Sequence, residues 1–123
     1  MKIIMQMVDM LEAENPGCFD QDDKTFIDLY MKSGLYIAEI VKRLYKSEVM
    51  KGKYPDREAR LRHIFAKQVY GLAPTEIIYR ITMRFLLGFA ESVRITDHNL
   101  RKLDALPYAK DGTLESKLDD VFS

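Results

Sequence analysis

The sequence predicts an all-α protein, five to six helices packed in a single irregular or orthogonal bundle. Three observations carry that expectation. Apolar residues recur at helical spacing through most of the 123 positions. Glycine, proline and asparagine cut the chain into pieces of helix length. No segment sustains the apolar–polar alternation, enriched in β-branched residues, that marks a half-buried strand.

The elements follow in order. Ile3, Ile4, Met7, Met10 and Leu11 predict an amphipathic helix over residues 2–13, its methionines serving as adaptable core packing. Asn15-Pro16-Gly17 breaks it. Asp22 or Asp23 then caps a second helix, whose apolar face begins at Phe26, Leu29 and Tyr30. Lys32-Ser33-Gly34 ends or kinks it, and Leu35, Ile37, Ile40, Val41, Leu44 and Tyr45 carry the pattern on to about Lys51. After Gly52-Lys53-Tyr54-Pro55, the residues Leu61, Ile64, Phe65 and Val69 form the inward stripe of the next helix, which Pro55 opens. Gly71-Leu72-Ala73-Pro74 is a further break. The most apolar helix is expected from about Pro74 to Val93, at the centre of the core. Thr96 can cap a helix to about Leu106, stopped by Pro107, and Thr113 a short terminal one. Residues 1–123 form a single domain in this reading, with 107–123 a segment free to move or to swap between copies.

Composition narrows the class of function. Hydrophobic residues make up 47% and charged residues 31%, enough of each for a packed core under a solvated surface. The first residues place Asp9, Glu12 and Glu14 where a secretion signal needs an apolar core. Residues 77–93 are interrupted by Arg80, Arg84 and Glu91, which argues against a membrane span. With Cys18 as the one cysteine, no internal disulfide can form, and a cytoplasmic location is expected.

Chemistry-bearing motifs are sparse. His63 and His98 stand 35 positions apart and do not form a zinc or di-iron pattern. Cys18 reads as a small buried hydrophobe. The aspartates at 20, 22 and 23 read as helix capping, and no glycine-rich phosphate loop or nucleophile motif is present. The expectation is a protein that is not an enzyme, without cofactor or metal.

Charge is the informative feature. The net charge is zero, yet residues 1–30 hold two Lys/Arg against seven Asp/Glu, 31–110 sixteen against eight, and 111–123 one against four. The basic density peaks in residues 42–67, with Lys42, Arg43, Lys46, Lys51, Lys53, Arg57, Arg60, Arg62 and Lys67. Lys42 and Lys46 share one helical face and Arg60 and Lys67 another, so the two can merge into a surface for a polyanion or an acidic partner. At the other end, Leu114, Leu118, Val121 and Phe122 form an apolar stripe beside three acids, suited to docking in a groove or folding back on its own chain. These features lead to a helical interaction protein that self-associates as a homodimer and binds another macromolecule. The alternative is nucleic-acid binding through residues 42–67; no membrane partner is expected.

Overall fold

Three short segments that read as helix or break in the sequence are strands. A computed structural model of the chain describes residues 2–87, 95 and 97–122. Strands β1 (Phe26–Asp28), β2 (Val69–Ala73) and β3 (Asn99–Lys102) form one parallel sheet in the order β1-β2-β3. Seven α-helices accompany them among the described residues: α1 (Lys2–Glu14), α2 (Leu35–Lys46), α3 (Glu48–Lys53), α4 (Arg57–His63), α5 (Glu76–Leu87), α6 (Leu106–Asp111) and α7 (Leu114–Phe122). The all-α bundle is therefore corrected to an α/β architecture, a βαβαβ unit with helical flanks.

The physical reason lies in how parallel strands are buried. A strand covered on both faces has no cause to alternate, and reads as a short apolar run that periodicity cannot tell from helix. Val69, Gly71, Leu72 and Ala73 are all buried. The "break" at Gly71-Leu72-Ala73 is thus the heart of the central strand. Gly71 is needed there because a Cβ would stand 2.8 Å from Cε of Met31 and 3.3 Å from Cδ2 of Leu100. Residues 26–28, expected to open a helix, pair with 69–71; residues 99–102, expected inside a helix, pair with 70–73. Residues 88–93 of the expected core helix, and Thr96, lie outside the described residues.

Both crossovers use helices, as parallel pairing requires. The first runs through α2, α3 and α4, and α4 continues into a wider π-helical turn at Ile64–Gln68 that delivers the chain into β2. The second is α5. The right-handed crossover rule puts two such connections that advance in the same direction on the same face of the sheet. In agreement, α2 begins against α5: a Cβ on Gly34 would meet Thr82 and Leu86. The core lies between this layer and the sheet, built from Met31, Ile37, Ile40, Leu44, Ile64, Phe65, Val69 and Leu100. Against expectation, Met5, Met7 and Met10 of α1 are exposed, and α5 buries only Thr82 and Leu86 among its described side chains. The opposite face of the sheet carries Tyr70, which meets Phe122 of α7 edge-on at 5.1 Å.

Local polar contacts fix the approach to β1. Gln68 is fully buried, and its Nε2 donates to the carbonyls of Gln21 (2.8 Å) and Lys24 (3.1 Å). Ser47 caps α3 by accepting from the Met50 N–H at 3.3 Å, and its own hydroxyl donates to Asp20 at 2.6 Å. Ser47→Ala removes the cap and leaves Asp20 short of a donor, so unfolding free energy should drop by about 1–2 kcal/mol. Urea denaturation reads this; a change below the error of the midpoint would show that the cap does not matter.

Candidate functional site

Strand β1 ends at Asp28, and the chain must then turn to start α2 at Leu35. Gly34, the residue before the helix, adopts φ 85°, a left-handed conformation that favours glycine. The Met31 N–H donates to the Leu72 carbonyl at 2.9 Å, which ties the turn to the carboxyl end of β2. Beneath α1 this geometry leaves a cavity of about 400 Å³. Asp28, Tyr30, Lys32, Ser33, Gly34, Leu35 and Tyr36 line it, with Ile4 and Met7 of α1 as the apolar wall.

The electrostatics of the cavity are mixed in sign. Asp28 accepts from the Tyr30 N–H at 3.0 Å. Burial nevertheless pushes its carboxyl above the usual range, the single hydrogen bond only partly opposing that. The Tyr36 phenol is also raised, first by burial and then by the Asp28 charge, which places the two groups within each other's field. On the other side stand Lys32 and the start of α2. That helix has no side-chain cap and no acid in its first turn, so the positive end of its dipole is not neutralised locally. Asp28 and Lys32 thus border the same cavity, beside the start of α2.

The basic residues singled out in the sequence lie elsewhere, and the fold engages most of them internally. Arg43 reaches Asp9 (2.7 Å), Glu39 (3.4 Å) and Glu12 (3.6 Å), so the acidic first helix neutralises part of the basic centre. Lys51 pairs with Glu48, Lys53 with Asp22, and Arg62 with Glu58. Arg57 donates from Nε to the Tyr45 hydroxyl at 2.8 Å. Arg60, expected on the surface, is only 4% exposed, because its guanidinium packs against the Tyr45 ring, 4.4 Å from the centroid. Lys42, Lys46 and Lys67 are exposed and have no ion-pair partner among the described residues. The nine therefore do not make one continuous free patch.

His63 is half-buried. It stacks on Tyr54 at 4.5 Å and its Nε2 lies 2.8 Å from the Asp22 carbonyl. The aspartate expected to cap a helix, Asp22, instead takes Lys53 and the Tyr54 hydroxyl. Leu114, Leu118, Val121 and Phe122 are all half-buried, with Phe122 turned to the sheet.

Sequence reasoning missed Asp28, Lys32, Ser33 and Gly34 as a group. The available signal was a Phe-Ile pair ending in aspartate, followed within six residues by a glycine that opens a strongly amphipathic helix. No family model, no curated protein and no solved structure matches this chain.

Proposed function

We propose that this chain binds a small molecule with an amino-acid-like zwitterionic head on a nucleoside body, in the cavity at the carboxyl end of β1. The observation that carries this reading is the position of the cavity. In open parallel sheets, ligands sit outside the carboxyl ends of the strands, and a βαβαβ unit is the mononucleotide-binding half of doubly wound proteins. A volume of about 400 Å³ falls within the range of small-molecule sites.

The chemistry of the lining selects among nucleoside ligands. The turn from Leu29 to Gly34 contains one glycine, so it lacks the glycine-rich cradle whose backbone N–H groups hold a pyrophosphate. Asp28 would repel a pyrophosphate and attract an ammonium; Lys32 and the amino end of α2 would attract a carboxylate. Tyr30 and Tyr36 offer ring faces for a flat group.

Isothermal titration with three probes tests it: S-adenosylmethionine, ATP and NAD. Only the first pairs a nucleoside with an amino-acid head, and saturable binding of it at micromolar concentration, with the two phosphate-bearing probes at least tenfold weaker, is expected. Tighter binding of ATP or NAD would reverse the charge argument, and no binding of any probe would remove the site.

A second reading, contact with another macromolecule or a second copy, is favoured by α5. Ile77 is 72% exposed and Ile81, one turn on, 54% exposed, so α5 presents two neighbouring apolar side chains on one face. A solution mass above 14.3 kDa by light scattering supports a second copy; the monomer mass at high concentration counts against it. No helix among the described residues is long and apolar enough to cross a membrane. The single cysteine, buried and with its thiol raised first by burial, fits a reducing cytoplasm.

A further inference from the structure

A buried positive charge without a carboxylate partner among the described residues lies on the side of α2 that carries Tyr45. Arg60 is 4% exposed, and its Nε and Nη1 are buried with no hydrogen-bond partner. No carboxylate among the described residues forms an ion pair with it. A guanidinium does not lose its proton in a protein, so it cannot escape the cost of burial by neutralising. The Tyr45 ring offsets part of that cost through its negative face. The remainder is uncompensated within the described chain, and unpaired buried charges are otherwise rare.

The surroundings add donors. Arg57 gives its Nε–H to the Tyr45 oxygen, which leaves the phenolic proton free to donate outward and the two terminal nitrogens of Arg57 at the surface. Lys42 and Lys46 flank Tyr45 on α2, exposed and without ion-pair partners among the described residues. Arg57 foremost, and then Arg60, make the Tyr45 hydroxyl more acidic.

We infer that Tyr45, Arg57 and Arg60 form an anion site that takes a phosphate group, with Lys42 and Lys46 at its rim. The phosphate accepts from the Tyr45 hydroxyl and from Arg57, and lies in the field of the buried Arg60, whose charge it balances. A dianion is favoured over a single carboxylate because Tyr45 and Arg57 offer donors from two helices and because the guanidinium groups of Arg57 and Arg60 both meet at Tyr45, so the local charge exceeds one. This site is separate from the cavity at β1 and stands whether or not that cavity binds a nucleoside.

The test is thermal unfolding of the full chain in inorganic phosphate, with sodium acetate and sodium chloride at matched ionic strength as comparisons. Phosphate should raise Tm saturably by about 2 °C or more beyond chloride. Tyr45→Phe and Arg57→Gln, both surface-facing changes, should each weaken the apparent affinity about tenfold while Asp28→Asn leaves it unchanged. Arg60→Met, close in volume and uncharged, should abolish the phosphate response without lowering Tm in chloride. A merely structural arginine gives the opposite result, a lower Tm with the phosphate response intact, and that overturns the inference. So does an equal response to acetate, or no response beyond chloride.

Discussion

Gly34→Ala should lower Tm by about 8–15 °C. Two separate costs combine. Gly34 holds φ 85°, where a side chain costs about 1–2 kcal/mol. A Cβ would also stand 3.0 Å from Cγ2 of Thr82 and 3.2 Å from Cγ of Leu86. Thr82 and Leu86 are fully buried, so neither can swing into solvent, and the overpacking adds about 1–3 kcal/mol. Gly112 supplies the control. It has φ 80° with nothing among the described residues within 4 Å of where a Cβ would stand, so Gly112→Ala carries the backbone cost alone and should lower Tm by about 4–8 °C. The difference between the two variants measures how rigidly α5 is pressed against the start of α2. Equal effects would mean that α5 yields, and that the turn bordering the cavity is looser than its packing suggests.

The same residues show what the sequence could and could not disclose. Helices α1, α2, α4 and α7 are legible because each keeps an apolar stripe on one side: in α2, Ile37, Ile40, Val41 and Leu44 are buried while Lys42 and Lys46 are exposed. The strands are not, because they are only three to five residues long and the central one, β2, is the one that meets cover on both faces. Gly71 carried two meanings, a turn or a close approach, and only the sulfur of Met31 above it decides between them. Arg60 illustrates the converse. Its charge and its seven-residue spacing from Lys67 pointed to a shared exposed face, whereas the ring of Tyr45 across the helix pair draws it inside. A helical repeat predicts which residues share a face, and the partner helix decides whether that face is wet. Asp28 was invisible for a third reason: an aspartate acquires chemical meaning at the end of a parallel strand, and the strand itself had not been seen.

Asp28→Asn should make the protein more stable at neutral pH and unable to hold its ligand. Burial raises the Asp28 carboxyl in the folded state above its ordinary value of 3.8, and the Tyr30 N–H opposes this only in part. The folded protein therefore binds that proton more tightly than the unfolded chain does. Between the ordinary value and the raised one, stability falls as pH rises, and above both the ionised carboxylate is a constant cost. Asparagine keeps the shape and the oxygen that accepts from Tyr30, and it carries no charge. Its Tm at pH 7 should exceed that of the wild type by about 2–4 °C. The advantage should shrink as pH is lowered through the carboxylate range and vanish below about pH 3, where aspartate is itself protonated in both states. An ammonium group on the ligand would lose its charge-assisted partner, so affinity should fall at least about tenfold. Stability and binding then move in opposite directions from one atom's change, the pattern of a group retained at a cost to the fold because a ligand needs it. If the variant is less stable at pH 7, Asp28 supports the turn through its charge. If it is more stable and binds the ligand as before, the cavity recognises something other than an amine.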